Sequence, residues 1–191
     1  IGSNTIKMLV VEKTDNGLKF IAETTSETRI SEGISKEHPE LTELSMSRVI
    51  DVIKDLYREI LTHNPDHLRI VATSAVREAQ NQAAFKDRVY QAVDQKIDVI
   101  SGDEEAQLIG RGVLTDPALR HQKEIMIFDM GGGSVECIYI KDRKIRLAES
   151  LPLGGVRLME RHVTDPTQPL QESEKQAVVH TVKNQVNRFD L

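Results

Sequence analysis

At 191 residues, with 39% hydrophobic and 29% charged positions, the chain has the composition of a globular protein, with room for one full domain or for one domain and part of another. A formal charge of −5 argues against a broad nucleic-acid surface, which needs a basic face to neutralise phosphates. No apolar run approaches the roughly 18 residues of a membrane helix and no signal segment opens the chain, so it reads as cytoplasmic, without a membrane partner.

Ile1-Gly2-Ser3-Asn4-Thr5 is a turn sequence without the strand it should terminate, and Leu191 falls on what reads as a helix, so further protein is expected beyond both ends. Ile6 to Glu12 and Leu18 to Thr25 are β-type runs joined by Asp15-Asn16-Gly17, whose Asn-Gly pair favours a tight hairpin. Apolar residues at helical spacing from Thr42 to Thr62 predict a long helix ending near Asn64-Pro65. A short buried strand over Leu68 to Thr73, a helix over Asn81 to Gln95 and a strand over Ile97 to Ile100 follow. This alternation implies parallel pairing and an α/β class.

A helix from Ser101 to about Gly112 is broken by Thr115-Asp116-Pro117. Lys123 to Met130 is a strand that passes through Gly131-Gly132-Gly133-Ser134 into Val135 to Ile140, and a turn at Lys141-Asp142-Arg143 leads to Lys144 to Ser150. A helix near Gly155 to His162, a connection with Pro166 and Pro169, and a helix from Glu172 complete the pattern. The order of small-residue turn, strand, polar turn and strand occurs twice, about 130 residues apart, which suggests a duplicated domain. The boundary is placed between residues 122 and 123, giving a first domain 1–122 and the first part of a second, 123–191.

Asp129-Met130-Gly131-Gly132-Gly133-Ser134-Val135-Glu136 is the most informative segment. An acid at the end of a buried strand is costly unless it meets a cation or a hydrogen-bond network. Three glycines remove every Cβ from the turn, so backbone N–H groups can surround a phosphate, and Ser134 adds a hydroxyl. A plain glycine-rich hairpin with a surface acid is the competing explanation. Gly2-Ser3-Asn4-Thr5 offers the same chemistry from the other half, against an ordinary β-turn.

Ser101 followed by Glu104 is a capping box, which explains Glu104 structurally and leaves Glu105 as the acid able to take a proton from water. Thr73-Ser74-Ala75-Val76-Arg77-Glu78 lies where a strand feeds a helix, and Arg77 either supplies a forked charge to an anion or pairs with a nearby acid. Lys7 and Arg29 are further cations to set against ordinary surface charges. Cys137, the single cysteine, reads as a buried thiol. Pro65 spoils a metal pair of His63 and His67, and Gly110-Arg111-Gly112 reads as a helix end.

Taken in order, Ile1 to Thr5, Ala72 to Arg77, Ile100 to Ala106, Asp129 to Glu136 and Ser150 to Leu158 resemble the successive signatures of the exopolyphosphatase and guanosine pentaphosphate phosphohydrolase family. The resemblance implies an actin-like, ribonuclease-H-like duplication of α/β domains, with mixed sheets flanked by helices and an incomplete second domain. It implies Glu105 as the general base, Asp129 and Glu136 as the acids holding Mg2+ and its waters, and two phosphate loops, Gly2-Ser3-Asn4-Thr5 and Gly131-Gly132-Gly133-Ser134. Arg77 matches a substrate-side arginine. The implied partner is polyphosphate or a guanosine polyphosphate, with homodimerisation of the full-length form left open. The alternatives are an actin-like ATPase or sugar kinase, and a non-catalytic sensor of guanosine polyphosphates.

Overall fold

The computed structural model describes residues 1–15, 17–32, 34–35 and 38–186. They form two compact units, Ile1–Ile100 and Ser101–Leu191.

In the first unit, β1 (Thr5–Thr14) and β2 (Gly17–Glu27) form the expected antiparallel hairpin, in register from Thr5 opposite Glu27 to Thr14 opposite Gly17. Gly17 takes φ +119°, a conformation that only glycine adopts easily. Asn16 of the expected turn lies outside the described residues. The hairpin ladder shifts register between Val10 and Val11.

Helix α1 (Glu43–Thr62) starts at Thr42, whose hydroxyl accepts the Ser45 N–H at 3.1 Å. Its apolar stripe, including Met46, Val49, Ile50, Ile53 and Leu56, is buried against Ile6, Met8, Ala72, Phe85 and Val89. Strands β3 (Ile70–Ala72) and β4 (Ile97–Val99) pair in parallel, as a strand–helix–strand crossover requires. Two helices fill that crossover where the sequence indicated one: α2 (Ser74–Glu78) and α3 (Gln82–Val93). Asn81 divides them. Its side-chain amide both accepts from the Leu41 N–H (2.9 Å) and donates to the Leu41 carbonyl (2.8 Å), so it is committed elsewhere and caps no helix.

The second unit opens with α4 (Gly102–Val113) and a short 3-10 turn at Pro117–Leu119, followed by the antiparallel strands β5 (Glu124–Met130), β6 (Val135–Lys141) and β7 (Lys144–Leu151) in that spatial order. The central strand β6 is covered on both faces. Ile138 and Ile140 meet α4 through Ala106 and Ile109, while Val135 and Cys137 pack with Leu151, Leu153, Leu158 and Val182. The last two belong to α5 (Gly155–His162) and α6 (Glu172–Val186). The end of the expected last helix, from residue 187, lies outside the described residues. The β6–β7 turn places Asp142 (φ 50°) and Arg143 (φ 59°) in left-handed conformations, the two positive φ values of a type I′ hairpin.

The compact units divide at α4, whereas strand order placed the boundary at residue 122. Helix α4 packs on β6 and β7, so its contacts join it to the strands that follow. Gly110-Arg111-Gly112 lies at the end of α4, as the sequence indicated, with Val113 the last helical residue. Gly110 also lets the helix lie tight on the sheet, since a Cβ there would sit 2.8 Å from Ile145 Cδ1.

Candidate functional site

The two small-residue turns are built alike. Gly2 donates its N–H to the Thr5 carbonyl at 2.9 Å, and Gly131 donates to the Ser134 carbonyl at 2.9 Å. The strand leaving each turn shifts register against its hairpin partner, between Val10 and Val11 in one case and between Tyr139 and Ile140 in the other. All three correspondences, Gly2 with Gly131, Thr5 with Ser134 and the two register shifts, fall at one constant offset. Such agreement in hydrogen bonds and irregularities is what an internal duplication leaves behind.

In each unit a downstream segment grips the turn by its carbonyls. The Ser3 carbonyl accepts from the Ser31 N–H (3.1 Å), and the Asn4 carbonyl accepts from both the Thr28 and Arg29 N–H groups (2.9 Å each). In the second unit the Gly131 carbonyl accepts from the Gly155 N–H (2.9 Å) and the Gly132 carbonyl from the Arg157 N–H (3.1 Å). Arg157 Nε donates to the Gly133 carbonyl at 2.7 Å. A trans peptide points its C=O and N–H in opposite directions. Fixing the carbonyls of residues 131–133 to the 155–157 segment therefore turns the N–H groups of Gly132, Gly133 and Ser134 the other way. Among the described residues neither Gly132 nor Gly133 donates to a backbone carbonyl. Successive outward N–H groups of this kind make an anion cradle.

Beside the second cradle, Asp129 and Glu136 are directly opposite each other in the β5–β6 ladder. Cross-strand neighbours of like charge repel, which a cation would relieve. Glu136 is only 2% exposed, and Ser150, opposite it on β7, donates its hydroxyl to Glu136 Oε1 at 2.7 Å. Among the described residues no three His, Cys, Asp or Glu side chains gather as a dedicated metal cage. Two carboxylates alone fit Mg2+, which is commonly held by one or two acids with waters and substrate phosphates completing its shell.

Glu105 lies in the first turn of α4, half-buried between exposed Glu104 and fully buried Ala106. Ser101 caps this turn, its hydroxyl accepting the Glu104 N–H at 3.0 Å and its carbonyl the Glu105 N–H at 2.9 Å. In the first unit the Ile1 carbonyl accepts from the Thr73 N–H at 3.2 Å, which brings the opening turn to the start of α2. Arg77, in the last turn of α2, donates Nη1 to the Ile100 carbonyl at 2.9 Å. Glu78 accepts the Ser74 hydroxyl at 2.9 Å, and Ser74 is buried. Lys7 is exposed on β1. Burial, followed by the charges of Glu136 and Glu149, pushes the Cys137 thiol up, as suits a packing residue rather than a nucleophile.

Sequence reasoning placed Ser150, Gly154 and Arg157 within a signature segment but gave none of them a role, and it did not single out the backbone of Arg29. Arg157 is 3% exposed although it stands on a short surface helix, and the burial of one charge among that helix's cations is a signal that only three dimensions supply. Gly154 abuts the glycine loop, where a Cβ would lie 2.3 Å from the Gly132 carbonyl carbon.

A family model described as the Ppx/GppA phosphatase family matches residues 9–190. A guanosine-5'-triphosphate,3'-diphosphate pyrophosphatase of Vibrio cholerae is 35% identical over 167 residues, 86% of this chain and 33% of its own length. The chain thus spans about a third of the curated relatives it matches. Among solved structures, an exopolyphosphatase from Cytophaga hutchinsonii superposes with a TM-score of 0.86 at 28% identity, over 99% of this chain and 62% of that one. A Ppx/GppA family member from Aquifex aeolicus gives a TM-score of 0.75 at 28% identity, over 98% and 60%.

Proposed function

Because the chain belongs to the Ppx/GppA phosphatase family and shares the fold of its solved members, we propose that it carries the catalytic segment of a hydrolase releasing terminal orthophosphate from inorganic polyphosphate or guanosine pentaphosphate. The observation that carries this reading is the pair of equivalent turns whose carbonyls are tied inward by a downstream segment. A chain of phosphates presents only anionic oxygens, so its recognition calls for N–H donors and cations rather than an apolar pocket.

Phosphoryl transfer needs little covalent chemistry from the protein and is served by positioning and charge stabilisation. In this reading Glu105 orients a water and takes its proton as the oxygen attacks the terminal phosphorus and the anhydride bond breaks. The loop 131–134 holds phosphoryl oxygens through its N–H groups and the Ser134 hydroxyl, and within the first unit Gly2, Ser3, Asn4 and Thr5, with Arg77, are the equivalent phosphate-binding residues. Asp129 and Glu136 are the residues that would hold Mg2+. When bound, the ion would neutralise charge on the phosphate oxygens. Ser150 keeps Glu136 in one orientation for that task.

The test is an assay of the native protein for orthophosphate release from polyphosphate and from guanosine pentaphosphate, each with and without Mg2+. Magnesium-dependent release from either supports the proposal, and release from neither overturns it. Faster release from ATP than from both would favour the ATPase or kinase alternative. Tight guanosine polyphosphate binding without turnover would favour a sensor.

A further inference from the structure

The segment that grips the first turn carries costs that a simple connector would not. Arg29 sits at φ 48°, a left-handed backbone conformation disfavoured for a side chain of its size. On either side of it, the buried hydroxyls of Thr28 and Ser31 have no hydrogen-bond partner among the described residues. The backbone geometry has a local purpose: a left-handed residue lets consecutive N–H groups converge, and those of Thr28 and Arg29 meet on the Asn4 carbonyl. Glycine or asparagine would serve that purpose at lower cost. The choice of arginine calls for a use of its side chain.

That side chain is available. It is 75% exposed, and its ion pair with Glu27 spans 3.8 Å between two solvated groups, a contact worth little. Its backbone is anchored on both sides, by its own N–H on Asn4 and by its carbonyl, which accepts Arg48 Nη2 at 3.5 Å. The guanidinium therefore issues from a fixed point beside the Ser3-Asn4-Thr5 turn. It is a planar, permanently charged fork suited to phosphate oxygens.

We propose that Arg29 is a substrate-binding residue, a guanidinium carried on the clamp of the first turn that contacts a phosphate of the polyphosphate chain. The inference rests on the functional reading above, so its test includes a binding measurement that needs no turnover. Binding of inorganic tripolyphosphate to the native protein is measured by calorimetry, with thermal melting alongside, for wild type, Arg29→Gly and Arg29→Lys. Arg29→Gly should melt at or above the wild-type temperature, because glycine relieves the left-handed strain, and yet bind tripolyphosphate about tenfold more weakly, the scale of one charge-assisted contact. Arg29→Lys should bind between the two. A purely structural role would move melting and binding together. Unchanged affinity in Arg29→Gly overturns the assignment, as does a fall in affinity matched by a fall in melting temperature. A wild type that binds tripolyphosphate but releases no phosphate, and loses affinity in Arg29→Gly, would retire the hydrolase reading and leave the contact standing. A wild type that does not bind it overturns both.

Discussion

Gly154 lies so close to Gly132 that a Cβ on Gly154 would sit 2.3 Å from the Gly132 carbonyl carbon and 2.4 Å from its oxygen. Both atoms are backbone and belong to the loop whose N–H groups form the second cradle, so no side chain can swing aside to make room. Gly154→Ala should therefore displace the loop and abolish phosphate release, with a loss of stability of at least about 2 kcal/mol, the scale of a severe overpacking. Gly155 makes the contrast, because the nearest atom to its Cβ position is 4.0 Å away. Gly155→Ala should retain activity and change stability by less than about 0.5 kcal/mol. Thermal melts and phosphate release on the pair decide between a packing requirement at residue 154 and a general need for glycine in this segment.

Much of this fold could be read from local pattern. The strands carry their own punctuation, with Gly17 after β1 and the three glycines after β5, and α1 shows a stripe of which Val49, Ile50, Ile53 and Leu56 are buried while Leu61, at the helix end, is exposed. The duplication was visible as a repeated order of turns, but its register was not. Its register is supplied by the hydrogen bonds, which pair Gly2 with Gly131 and Thr5 with Ser134. What the sequence could not convey depends on contacts between distant residues. Arg157 looks like any surface cation until its Nε is found on the Gly133 carbonyl. Arg29 has neither glycine nor asparagine to announce a positive φ. Helix α2 is only five residues long, too short for helical periodicity to register.

Glu105 carries the clearest catalytic prediction. Its half-buried place in the first turn of a capped helix means that Glu105→Gln keeps the side-chain volume and leaves the Ser101 cap untouched. The melting temperature should stay close to wild type. Turnover should fall by at least about a hundredfold, the usual scale for losing a general base. Steady-state phosphate release with saturating substrate is the measurement, and turnover near wild type would remove Glu105 from that role.

Cys137 gives a prediction in pH. The thiol is buried on β6, and desolvation, reinforced by Glu136 and Glu149, raises its pKa in the folded protein. A raised folded pKa means that the folded state holds this proton more tightly than the unfolded chain does. The corresponding stability is present below the unfolded thiol pKa and is lost as pH rises through the folded value. At pH 8 the native protein should react slowly with a thiol reagent, and denaturant should bring the rate to that of a free cysteine. Fast labelling of the folded protein at pH 8 would contradict both the burial and the direction of the shift.

Gly110 and Gly112 separate helix propensity from packing within one helix. Both occupy the last turns of α4, where alanine is intrinsically preferred over glycine by about 1 kcal/mol. At Gly112 a Cβ meets nothing within 4 Å, so Gly112→Ala should stabilise the protein by up to about that amount. At Gly110 the same atom would lie 2.8 Å from Ile145 Cδ1 and 3.1 Å from Ile138 Cγ2, side chains of the sheet on which α4 rests. Ile138 is fully buried and cannot yield freely, so overpacking should outweigh the gain in propensity. Gly110→Ala is expected to melt below wild type and Gly112→Ala above it. If both variants melted above wild type, Ile145 and the sheet would have to give way at little cost, and Gly110 would lose its role as the point of close approach between α4 and the strands beneath it.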